Sequence, residues 1–201
     1  MNYLFEEERH LNIKKVVIIS IILIAIIIFI IVAIVKHISN SEETIPEQME
    51  VSDTTSLYYS IDNTFSVELS NAFGLKPYNS DLGYLLELRS DDNLNIFISK
   101  EGTIPNRTLA EIVEADKIAY LENFESYSNL SDTKELSIND NPAYTYSFHY
   151  LDKNLNQAFY LQITWLQINN EFYIFDIEFP LDDLSFNTNI SSVLLSSFKI
   201  L

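Results

Sequence analysis

The side chains that could do chemistry are few, and their spacing narrows them further. Acyl transfer needs a hydroxyl beside a base, and His149 stands two residues from Ser147, so one strand face would carry both. The pair is generic and reads as an ordinary sheet histidine beside a serine. Asp152, Asn154 and Asn156 copy the first, third and fifth positions of a twelve-residue calcium loop. The sixth position is Gln157 rather than glycine and the twelfth is Ile163 rather than glutamate, so the stretch reads as a polar turn. Three glycines leave no glycine-rich phosphate cradle. The absence of cysteine excludes thiolate nucleophiles, zinc-thiolate sites and disulfides, so stability must come from the core. Asp91-Asp92 and Asp182-Asp183 fall at turns, where solvation explains them. These readings assign no catalytic, cofactor-binding or metal-binding residue, and no cofactor.

Those side chains must be positioned by elements that the sequence marks clearly. From Leu57 onward, period-two runs rich in aromatic and β-branched residues alternate with Asn, Asp and Ser clusters, the signature of hairpins. SLYYSI and FSVEL flank Asp62-Asn63-Thr64, and YLLELRS and LNIFISK flank Asp91-Asp92-Asn93. Four strands therefore come first. Pro105 and the Thr108-Leu-Ala-Glu111 capping box then start a helix whose inner face carries Leu109, Ile112, Val113, Tyr120 and Phe124. Asp116 interrupts that stripe and reads as a rim residue with its head in water rather than as a functional acid. Strands return over TKELSI, Pro142 to Leu151, Gln157 to Ile168 and Glu171 to Phe179. Tyr144, Tyr146, Phe148 and Tyr150 share one face, as do Phe159, Leu161, Ile163 and Trp165. Tyr173, Phe175, Ile177 and Phe179 alternate against a wetter set, Ile174, Asp176 and Glu178. Asn169-Asn170 suits a two-residue turn with positive φ. A closing helix turns Phe186, Ile190, Val193 and Leu194 inward. Strands, helix, strands, helix reads as α+β, an antiparallel sheet with two packed helices.

The N-terminal part has a different character. Val16 to Val35 is a run of twenty residues without charge, and at about 1.5 Å per helical residue it matches the roughly 30 Å hydrocarbon core of a bilayer. It exceeds the ~7–15 apolar residues of a cleavable signal and ends in Lys36-His37, so it reads as an uncleaved anchor. Arg9, Lys14 and Lys15 precede the run and Lys36 follows it. That bias keeps the N-terminus in the cytoplasm and places the C-terminal part outside. The expected organisation is a cytoplasmic tail over 1–15, a transmembrane helix over 16–36, a flexible acidic linker over 37–55 and an extracytoplasmic domain over 56–201. Beyond Lys36 the chain holds 8 Lys and Arg against 26 Asp and Glu, a net −18. This sign repels nucleic acid and anionic lipid headgroups, so no nucleic-acid partner is expected. It suits a cationic partner or Ca²⁺, or simply solubility.

FSVEL, the TLAE-type helix start, INDNPAYTYSFHY with its long hairpin, and the closing VLLSSFKIL together resemble the Mog1/PsbP-like superfamily over Leu57 to Leu201. The resemblance implies an α+β domain behind an anchor, with an accessory or binding role rather than an enzymatic one, and it carries over no catalytic residues. The expectation is a single-pass, membrane-anchored extracytoplasmic domain. It would meet the lipid bilayer through Val16–Val35 and dock another envelope protein through outer-face tyrosines such as Tyr58, Tyr146 or Tyr160. The alternative is a small-ligand-binding domain or weak hydrolase, which requires Asp116, His149 and another acid to meet in one cavity.

Overall fold

The computed structural model describes residues 48–50, 54–183 and 189–201, all within one compact unit, Thr44–Leu201. The anchor, the tail, most of the linker and Phe186 lie outside the described residues. Among the described residues no helix is long and apolar enough to cross a membrane.

Twelve strands and two α-helices are described. The strands are β1 (Gln48–Glu50), β2 (Thr55–Tyr59), β3 (Phe65–Ser70), β4 (Lys76–Pro77), β5 (Leu86–Arg89) and β6 (Asn95–Gly102), followed after helix α1 (Leu109–Leu121) by β7 (Tyr127–Ser128), β8 (Lys134–Ile138), β9 (Asn141–Asp152), β10 (Gln157–Ile168) and β11 (Glu171–Pro180). Helix α2 (Ile190–Ser197) and β12 (Lys199–Ile200) close the chain. The expected mixture of two helices and antiparallel strands is present, but it forms two sheets rather than one. A small sheet runs β1-β2-β3-β12, and a large one runs β4-β5-β6-β11-β10-β9-β7, with β8 also on β9. Six strands, not four, precede α1. The two extra ones, β1 and β4, are two or three residues long and held by backbone pairing, which leaves no side-chain period to read. β1 falls inside the stretch 37–55 that reads as linker.

The turns explain how a chain with three glycines folds so many hairpins. Among the described residues nine other than glycine take positive φ, and all are Asn or Asp, whose short polar side chains tolerate the left-handed region. Asn63 (φ 55°), Asn93 (φ 62°) and Asn169 (φ 55°) close the three hairpins expected from the sequence. Asn139 and Asp140 (φ 49° and 64°) close a further hairpin between β8 and β9 through a two-residue turn.

Both faces of the large sheet are covered. On one, the small sheet and α2 bury Tyr58, Phe65, Val67, Leu69, Ile190 and Leu194 against Leu86, Ile96, Ile98, Phe175 and Ile177. Phe198 fastens this core, its ring about 5.1 Å from those of Phe65, Tyr173 and Phe175. On the other face, α1 packs Leu109, Ile112 and Val113 onto Tyr146, Phe148, Leu161, Ile163 and Trp165. Each such side chain contributes roughly 1.5–3 kcal/mol on leaving water. Val193 is the exception to the expected inner stripe of α2: it points outward and Leu195 is buried instead.

Covering both faces overturns two expectations. The set Ile174, Asp176 and Glu178 is not a wet face, because α1 and the segment before β5 lie over it. Tyr58 and Tyr146 are 1% exposed, so neither is a free anchor, whereas Tyr160 is half-buried and stacks on Phe179 at 5.0 Å.

Candidate functional site

The α1 face of the large sheet holds the unusual chemistry. Strand pairing sets Asp176 beside Ile163 and Phe97, Glu178 beside Leu161 and Asn95, and Glu87 beside Phe97. Asp116 enters the same face from α1. Four carboxylates thus share a face that is mostly aromatic and aliphatic, and each solves the problem of burial differently.

Asp116 turns inward, contrary to the expectation of a head in water. Its Oδ2 accepts from the Trp165 indole at 3.0 Å and the Tyr146 hydroxyl at 3.1 Å. Burial pushes its carboxyl up, against the pull of these two donors. Glu178 accepts from the Tyr150 hydroxyl (2.7 Å) and the Asn95 amide (3.0 Å). Glu87, nearly inaccessible, is ion-paired with Arg89, accepts its Nε–H at 2.7 Å, and accepts from the Ser80 amide at 3.0 Å. The Arg89 guanidinium lies in turn over the Tyr78 ring, 4.1 Å from its centre.

Asp176 is the least compensated. It is 8% exposed, and among the described residues its Oδ2 accepts only a long 3.4 Å bond from the Tyr120 hydroxyl and its Oδ1 has no hydrogen-bond partner. Burial, with the Asp116 and Glu178 charges beside it, pushes its carboxyl up to about 7. The phenols of Tyr120, Tyr146 and Tyr150 are raised too, first by their own burial and then by the carboxylates they face.

The residues singled out for chemistry lie elsewhere. His149 and Ser147 share a face as expected, but it is the face opposite Asp116, since Tyr146 and Phe148 point the other way. Nδ1 of His149 meets the Asn129 amide at 2.9 Å and its ring meets Tyr160 edge-on. Among the described residues the Ser147 hydroxyl makes no hydrogen bond to the ring. His149 borders an open groove of about 210 Å³ with Tyr127, Ser128, Tyr150 and Leu151. That groove does not include Asp116, so the cavity required by the hydrolase reading is not assembled. Asp152 Oδ1 accepts from the amides of Asn154 (2.8 Å) and Leu155 (3.0 Å), as a polar turn requires. Asp91 is exposed and paired with Lys76 at 3.1 Å. Among the described residues no cluster of three or more acidic or histidine side chains is set to hold a metal ion.

This arrangement of sheets and helices is the PsbP-like fold that the sequence resembles. The solution structure of cyanobacterial PsbP from Synechocystis sp. PCC 6803 matches with a TM-score of 0.57 at 12% identity, over 76% of this chain and 96% of that one. The crystal structure of LpqN from Mycobacterium tuberculosis, a protein involved in cell envelope biogenesis, matches with a TM-score of 0.50 at 11% identity, over 77% and 90%. At such identities the likeness is one of fold. No family model matches the sequence, and no curated protein matches it either.

Proposed function

We propose that this protein is a single-pass membrane protein whose C-terminal domain works outside the membrane as an accessory module that docks another envelope protein. The anchor reading rests on Val16–Val35 and on the basic residues before it. The docking reading is carried by one observation. At one end of the large sheet Tyr127, Leu151 and Leu155 are 46%, 48% and 54% exposed, and the first two border the open groove at His149. These residues replace the buried Tyr58 and Tyr146 as candidate anchors. With a net −18 beyond Lys36, the fitting partner presents basic residues around an apolar centre. The envelope role described for LpqN accords with this reading.

Two measurements test it together. Protease added to intact cells, with any outer barrier permeabilised, should remove the domain and leave the N-terminal forty or so residues in the membrane. Photo-crosslinkers at positions 127, 151 and 155 should capture one protein of the envelope, whereas one at Glu114 on the outer side of α1 should not. A domain untouched by protease under these conditions, or capture indifferent to the crosslinker's position, overturns the proposal.

A further inference from the structure

The region around Asp176 has the composition of a receptor for a cation. Tyr84 and Phe97 meet at a tilt with ring centres 4.8 Å apart, and the Tyr120 hydroxyl reaches Asp176 from α1. Tyr84, Phe97, Tyr120 and Glu178 are all half-buried, and Asp176 among them is buried. The charges of Asp116 and Glu178 both bear on Asp176 there. The basic groups nearby are already engaged: Arg89 by Glu87 and Tyr78, and Lys117 by the Ser131 carbonyl and the Thr133 hydroxyl. A buried carboxylate oxygen without a hydrogen-bond partner is costly, and a donor brought by a ligand relieves that cost.

We propose that this site binds a primary alkylammonium group, with Asp176 Oδ1 as its principal acceptor, Glu178 as its second charge, and Tyr84, Phe97 and Tyr120 around its methylene stem. The acceptor geometry selects the class. A guanidinium fork needs both oxygens of one carboxylate, and Tyr120 already holds Oδ2. A divalent metal needs several oxygen ligands, which the described residues do not converge. An ammonium is a compact point charge that one free oxygen can receive, and aromatic faces attract it further. The same chemistry is presented by a free polyamine and by a lysine side chain. The site is independent of the docking end at Tyr127, so either can fail alone.

Binding is linked to protons, because the ammonium needs Asp176 ionised. The groups facing it are Asp116 and Tyr120 from α1, Glu178 on its own strand, Glu87 and Arg89 from β5, Tyr84 before β5 and Tyr150 from β9. The test is calorimetric titration of the full chain in non-ionic detergent with three probes: spermidine, a lysine-containing peptide, and the same peptide with arginine. Saturable binding of spermidine or the lysine peptide is expected, at least tenfold tighter at pH 8 than at pH 5.5, with proton release on binding. Whichever of the two binds more tightly identifies the source of the ammonium. Asp176→Asn should weaken it at least tenfold and Phe97→Leu severalfold, while Asp91→Asn with Asp92→Asn, at an exposed turn, should leave it unchanged. Failure of both amines to saturate, tighter binding of the arginine peptide, or equal weakening by the exposed-turn variant would overturn the proposal. The asparagine variant keeps the fold's shape, and its unchanged circular dichroism would exclude unfolding as the cause.

Discussion

Replacing Asp176 with asparagine is expected to stabilise the domain at alkaline pH and leave it nearly unchanged at acid pH. In the folded chain the carboxyl gives up its proton near 7, whereas the ordinary value is 3.8. Between roughly pH 4 and 7 the folded state therefore holds a proton that the unfolded state has lost, and stability falls as pH rises through that window. A gap of about three pH units at 1.36 kcal/mol each puts the loss at about 4 kcal/mol as an upper bound. Asparagine carries no charge and so escapes it. Its amide adds a buried donor that costs about 1–3 kcal/mol if left unpaired, while the Tyr120 hydroxyl keeps an acceptor. The net expectation is a gain on the order of 1–3 kcal/mol at pH 8, shrinking to zero or reversing by pH 4.5. Urea unfolding followed by circular dichroism at pH 4.5, 6, 7 and 8, on the full chain in detergent without amines, measures both curves. The reasoning is refuted if the difference between the two proteins stays constant with pH, or if the variant is the less stable one at pH 8. The second outcome would mean that the carboxylate is stabilised as an anion by a group within the fold.

Three further predictions concern the elements around this site. Asp116→Ala strands the Trp165 indole N–H and the Tyr146 hydroxyl and should cost about 2–4 kcal/mol by urea unfolding, with a shift in the emission of the single tryptophan; Asp116→Asn, which keeps an acceptor, should cost about half as much. Thr108→Ala removes the capping-box bond to the Glu111 amide at 3.3 Å and should cost about 1 kcal/mol, read as a lower urea midpoint with unchanged slope. At Asn169, where φ is 55°, glycine should be within about 0.5 kcal/mol of the native protein and valine about 1–2 kcal/mol less stable, because a β-branched side chain is strained in the left-handed region.

What the sequence made legible was local. Asn63, Asn93 and Asn169 announced three hairpins because an Asn between two period-two runs is both turn chemistry and punctuation. Thr108 and Glu111 announced α1 because the capping box is complete within four residues. The covering of the sheet was not local, and there the reading failed. An alternating strand shows that two faces differ, not that either is open to water. Yet the register to correct it was present. A two-residue turn at Asn169-Asn170 pairs Ile168 with Glu171, hence Trp165 with Ile174 and Ile163 with Asp176, which puts Asp176 and Glu178 on the apolar face of β10. The acid-bearing face therefore followed from an expected hairpin, whereas the inward turn of Asp116 depended on how α1 lies across β9 and β10.

The acids and the tyrosines of this chain belong to one solution. With 12 Lys and Arg against 29 Asp and Glu, the chain cannot give most of its carboxylates a cation. On the buried face one carboxylate, Glu87, has Arg89, and the other three take phenols: Tyr146 for Asp116, Tyr120 for Asp176, Tyr150 for Glu178. A phenol satisfies a lone pair without cancelling the charge, so it supports a carboxylate far less than a guanidinium does when water is excluded. The consequence is graded. Where two good donors converge, as on Asp116 or Glu178, the carboxylate is well held; where one long bond must serve, as on Asp176, the charge is poorly supported. A domain built this way stays acidic on its surface and keeps inside it one carboxylate, Asp176, whose charge a single long bond must support.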